Sequence, residues 1–269
     1  MLAKKAKLTR RMDRTAVISR LREQIRRMEA DFARCQRRQW FSTSLLELDE
    51  RLVGGGLPSA SIVELLTAGR SGSCLGLAAW LSAQVLAGVG LARGGVVIDR
   101  RGELYPPAAA QMGLELDRLV LVRPRCEAEA VWAAEESLRS PGVGVVLVPW
   151  LWGMDHRQSR RLQLAAEAGG GVGLVVRSVR ARGRISSAAV RLLVEPAPSE
   201  PGVPIHQGRW VERWSVQVLR CRGGPEAGLG TDPVVVGLDD ATGDVSCDAA
   251  VFGGAGPATA SRSKFGISG

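Results

Sequence analysis

The sequence predicts an α/β fold, with a mostly parallel sheet covered by helices and closed by antiparallel strands near the C-terminus. Three observations predict it. Short, continuously apolar runs such as VGVVLV at 143–148 alternate with segments of helical pattern, as buried parallel strands do. One such run, at 61–66, leads through a Gly/Ser-rich turn into an apolar helix, which is the layout of a phosphate-binding loop. After Pro196 the pattern changes to a Pro-rich loop followed by strand-and-turn segments of antiparallel type.

Composition bounds the reading. At 269 residues and 45% hydrophobic content the chain suits one α/β domain with a real core. No charge-flanked apolar run reaches the roughly 18 residues of a spanning helix. The opening MLAKKAKLTRRMDR has no apolar stretch of a secretory signal, so a cytoplasmic, nucleoid-associated protein is expected. Five scattered cysteines (35, 74, 126, 221 and 247) form no C-x-x-C pair, which excludes a disulfide framework or a zinc site as the organising feature. The net charge of +9 is concentrated: residues 1–40 hold 13 Lys/Arg against four Asp/Glu, and the remainder is balanced. A basic arm on a neutral globule suits nucleic acid or an acidic partner, or is a solvated helix with neither role.

In chain order, residues 1–42 read as this basic arm with an amphipathic helix. Ile18, Leu21, Ile25, Met28 and Phe32 form a narrow seam at heptad-like spacing, suited to the domain's own body, a neighbouring subunit or another protein. Arg20, Arg26, Arg27, Arg34, Arg37 and Arg38 occupy much of the remaining surface and are candidate DNA contacts. A short helix at 44–53, opened by a capping box of Ser44 and Glu47, starts the α/β core of 43–195. Strands are expected at 61–66, 96–99, 119–122, 143–148, 172–177 and 190–194, with helices at 75–91, 105–112, 127–139 and 155–168 between them. Residues 196–250 supply the antiparallel strands, and the Gly/Ala/Ser-rich 251–269 reads as a disordered tail.

The turn after the first strand decides the chemistry. A working loop needs G-x-x-x-x-G-K-[ST], in which Lys reaches the terminal phosphates and the hydroxyl binds Mg²⁺. Here Thr67 stands at the first Gly, Gly72 keeps the second, Ser73 replaces Lys and Cys74 replaces the hydroxyl residue. Gly69, Arg70, Ser71, Gly72, Ser73 and Cys74 therefore form a degenerate anion-binding turn, with weak ATP binding the most it retains. The only lysines are Lys4, Lys5, Lys7 and Lys264, so the core has no ammonium to recruit. The strand at 143–148 runs into Pro149-Trp150 where a metal-binding carboxylate belongs, and Arg100 and Arg101 follow Asp99 where a catalytic base would be sought. No cofactor, metal site or catalytic residue is expected. His156 follows Asp155 at a helix start, where capping is the natural role, and His206 is isolated.

Arg177, Arg180, Arg182 and Arg184 follow a strand end. Ligands meet parallel sheets at the carboxyl ends of strands, so this cluster is a second candidate DNA contact.

From about 43 to 245 the chain resembles the RecA-like P-loop NTPase core. Within it, VVIDRRGELYPPAA, RRLQLAAEAGG, RARGRISSAAVRLLVEP and VLRCRGG resemble the ImuA group, RecA-like accessory proteins also described as SulA-like. The resemblance implies a role in the bacterial SOS response to DNA damage and in SOS mutagenesis. The implied partners are an ImuB-like Y-family polymerase homologue, an error-prone replicative-type polymerase, RecA, DNA and a further copy of the chain. The leading expectation is thus a non-catalytic accessory protein in translesion synthesis and DNA repair. The rivals are a divergent DNA-dependent ATPase and a SulA-like cell-division inhibitor.

Overall fold

The computed structural model describes residues 39–68, 72–90, 92–151, 153–197, 211–223, 232–239, 243 and 245–247. The chain divides into two units, Met1–Trp40 and Phe41–Gly269, and nearly all described residues belong to the second. Its principal sheet has nine strands: β1 Ser61–Thr67, β2 Gly94–Ile98, β3 Leu119–Val122, β4 Val143–Val148, β5 Val172–Ser178, β6 Val190–Pro196, β7 Val211–Cys221, β8 Val234–Asp239 and β9 Val245–Cys247. Their spatial order is β9-β8-β7-β6-β1-β5-β4-β2-β3. Strands β1 to β6 are mutually parallel, and β7, β8 and β9 extend the sheet antiparallel from β6.

Alternation along β1 sorts the two faces. Val63 and Leu65 join the larger apolar cluster, which contains the helix α2 (Gly72–Gly88) through Cys74, Leu77, Leu81 and Val85. Ile62 points the other way, into a cluster with Val131 and Leu138 of α4 (Glu127–Arg139) and Leu162 of α5 (His156–Gly169). Each Leu or Ile buried in this way contributes about 1.5–3 kcal/mol. At Gly173 of β5 a side chain would meet Ile62 Cδ1 at 2.5 Å, so glycine permits the close approach. Strand β1 lies between β5 and β6, so the chain leaves it in one direction and returns past it in the other. That reversal makes a topological switch point at the carboxyl end of β1.

Two local expectations are corrected. The helix α1 spans Leu46–Arg51 and has no side-chain N-cap. Ser44 takes a left-handed conformation (φ 61°) and its hydroxyl donates to Gln84 at 2.7 Å. Asp49 instead reaches back to accept from Thr43 N and from both the Ser42 and Thr43 hydroxyls. Second, β3 is an outer strand and half exposed, because the sheet ends there and no helix covers it fully. Helix α3 (Pro106–Gln111) starts at proline as the sequence suggests. No helix among the described residues is long and apolar enough to cross a membrane.

Candidate nucleic-acid interface

The carboxyl ends of β1, β2, β4 and β5 form one edge of the parallel sheet. At the end of β1, Gly69, Arg70 and Ser71 lie outside the described residues. So do the arm residues Arg20, Arg26, Arg27, Arg34, Arg37 and Arg38, the seam Ile18, Leu21, Ile25, Met28 and Phe32, His206, and the tail. Gly72 and Ser73 open α2. Cys74, at the position of the metal-binding hydroxyl, is fully buried, and desolvation pushes its thiol up to about 12.

The end of β4 is equally apolar. Val148 passes through Pro149 to Trp150, whose backbone is left-handed (φ 58°), an unusual conformation for a bulky residue. Its side chain is buried in the same cluster as Cys74 and Leu75, and Leu151 N donates to Val176 O to hold the turn. Two of the positions a phosphate site would use for metal chemistry are thus part of the dry core.

The carboxylates on this edge serve the backbone. Asp99 is buried and accepts from Glu103 N and Leu104 N, both at 3.0 Å, closing the turn after β2. Asp155 accepts from Gln158 N while Gln158 accepts from Asp155 N, a reciprocal cap on α5. Glu127 accepts from Gly153 N at 2.6 Å and Glu129 from Arg125 N at 2.8 Å. Among the described residues no group of three His, Cys, Asp or Glu could hold a metal ion.

The arginines divide sharply. Arg177 is not a surface residue: it is 2% exposed, which corrects its assignment as a DNA contact. It lies inside β5, where its Nη1 donates to Glu64 at 2.9 Å and its Nη2 to Met154 O at 2.7 Å. Glu64, 0% exposed in β1, also accepts from Arg191 Nε of β6 at 2.9 Å and from the Ser186 hydroxyl at 2.7 Å. Arg191 in turn donates to the carbonyls of Ala181 (2.7 Å) and Arg182 (3.1 Å). This network fastens the strap 179–189, which connects β5 to β6. Arg220 and Arg222 add donors to Ser186 O and Ser187 O.

On that strap Arg180, Arg182 and Arg184 point into solvent. Exposed Arg157 opens α5 beside them, and half-buried Arg100 follows β2. None of these five has an ion-pair partner among the described residues. Since β5, β4 and β2 are consecutive in the sheet and strands lie about 4.8 Å apart, the row extends roughly 10 Å. Fixed cations at this spacing suit a phosphate backbone, with the strap's shape set before binding.

The buried Glu64–Arg177–Arg191 network was missed in the sequence, although a signal existed. Each of three adjoining apolar runs, SIVELLT, VGLVVRS and VRLLVEP, carries a charge in its interior, and such a charge requires a partner.

No protein-family model matches the chain. It is similar to ImuA of Caulobacter vibrioides, 33% identical over 192 residues that span 67% of this chain and 78% of that protein. It is also similar to RecA of Rhodopirellula baltica, 32% identical over 107 residues, 40% of this chain and 28% of that protein. RecA of Laribacter hongkongensis is 33% identical over 113 residues, 41% and 30% respectively.

Proposed function

The chain belongs to the ImuA family and its α/β core is RecA-like, and from that premise we propose a non-catalytic accessory role in SOS-induced translesion synthesis and DNA repair. In this reading the protein acts by contacts: to DNA through its arginines, and to an ImuB-like polymerase homologue, an error-prone polymerase and RecA. The observation that carries it is the pairing of an apolar phosphate corner with a basic row that has no ion-pair partner among the described residues. Cys74 and Trp150 fill positions where metal chemistry would need a hydroxyl and a carboxylate. Arg100, Arg157, Arg180, Arg182 and Arg184 offer charge with no acid held against them among the described residues. The basic arm, with Arg20, Arg26, Arg27, Arg34, Arg37 and Arg38, adds a second and larger source of phosphate affinity.

Melting the purified protein with and without millimolar Mg-ATP tests the non-catalytic half. A ligand at a hundred times its dissociation constant would add about 2.7 kcal/mol, so the account expects an unchanged melting temperature. A clear upward shift together with DNA-stimulated hydrolysis would overturn it in favour of a divergent ATPase.

A further inference from the structure

Asp99 ties together the outer half of the carboxyl edge. Its N–H donates to Val122 O at 2.8 Å, and its buried carboxylate accepts from Leu104 N at 3.0 Å. Three residues leave this junction one step away: Arg100 follows Asp99, Arg123 follows Val122 and Tyr105 follows Leu104. Arg125 lies two residues beyond Arg123. Both Arg123 and Arg125 are exposed, and neither side chain has an ion-pair partner among the described residues. Because β3 is next to β2, they carry the basic row one strand further. Three strand spacings from β5 make about 14 Å, or about four nucleotides of a stacked strand.

The single tyrosine of the sequence stands among these cations. Tyr105 is 68% exposed, and its side chain makes no hydrogen bond or ring contact among the described residues. Its backbone, by contrast, is held on both sides. Leu104 packs against the cluster of Ala79, Ala83, Ala109 and Leu114. Tyr105 itself is extended (φ −97°, ψ 103°), the conformation to which a following proline restricts it, and Pro106 and Pro107 come next. The ring is thus presented to solvent on a fixed neck, which lowers the ordering cost of any contact it makes. Arginines hold phosphates of a single strand or a duplex alike. An exposed ring stacks only on a base whose face is free, and a single strand offers such faces.

Resting on the reading of this edge as a DNA surface, we propose that Tyr105 is its base-stacking residue, with Arg100, Arg123 and Arg125 as the phosphate contacts around it. The ring turns a general phosphate surface into one that prefers single-stranded DNA.

Irradiating the full chain with a single strand that carries iodouracil tests the contact directly, because a stacked ring crosslinks to that base. The expected crosslinked peptide contains Tyr105, and the crosslink disappears when the strand is annealed to its complement. In titrations, Tyr105→Ala binds the single strand about tenfold more weakly with an unchanged salt slope, and binds the duplex as before. Tyr105→Phe keeps the affinity, since stacking needs the ring and not the hydroxyl. Arg123→Ala/Arg125→Ala flattens the slope by about one. If that double variant flattens the slope while Tyr105→Ala binds normally, stacking is overturned and the DNA edge stands. Equal losses on single strand and duplex overturn it too. Unchanged binding in both variants removes the outer edge as a DNA surface, and the stacking role with it. A Tyr105 crosslink that excess Mg-ATP abolishes assigns the ring to a free nucleotide instead, and overturns the proposal.

Discussion

At the amino end of the parallel strands, arginine is consumed by the fold. Arg93, just before β2, donates to the carbonyls of Gly169 and Gly170, where α5 ends in a left-handed glycine. Arg118, just before β3, donates to Leu86, Gly90 and Arg93 carbonyls and pairs with Glu115. Arg139, at the end of α4, pairs with Glu135. At the carboxyl end the relation is inverted. There the carboxylates Asp99, Asp155 and Glu127 are spent on backbone N–H groups, and Arg157, Arg180, Arg182 and Arg184 are left to solvent. Helices begin at that end, so orphan N–H donors draw in acids, and at the other end orphan carbonyls draw in arginines. The polarity of the βα unit sorts the charges and leaves one edge of the sheet basic.

The largest expected effect breaks the support beneath the basic strap. Glu64→Gln leaves Arg177 and Arg191 buried without their counter-charge, which should cost about 3–5 kcal/mol in denaturant unfolding. A loss under 1 kcal/mol would mean that the strap is held by other contacts. A smaller effect probes the dryness of the corner under the same edge. The Cys74 thiol is raised from 9.0 to about 12 in the folded protein, so folding favours its neutral form. Its contribution is complete below pH 9 and is lost as pH rises from there towards 12, at about 1.4 kcal/mol per pH unit. Unfolding curves across this window, compared with those of Cys74→Ala, should show the alkaline loss shrinking in the variant. An identical pH profile would place that thiol in a wetter site.

The strand-turn-helix core was legible because buried parallel strands leave continuous apolar runs, and the bounds expected for α4 and β4 match those found. The cap at Asp155 was legible because capping is local. Arg177 was misread because a strand end and a strand interior look alike at VGLVVRS. The register sets Arg177 opposite Leu66, and only its long side chain, reaching back, meets Glu64 two residues earlier on β1. The Ser44 cap failed because Ser44 bonds to Gln84, forty residues away, a contact that no local pattern encodes. The exposure of β3 likewise depends on strand order, which apolarity alone does not reveal.

The central claim is that phosphate affinity in the described core comes from the carboxyl edge of the sheet and not from arginine in general. The most direct measurement is the salt dependence of DNA binding by the full chain, by Arg157→Ala/Arg180→Ala/Arg182→Ala, and by Arg139→Ala at the opposite end. The account predicts that the triple variant loses affinity and that its slope of log K against log salt flattens by about two to three, with Arg139→Ala unchanged. Equal slopes in all three proteins would contradict it.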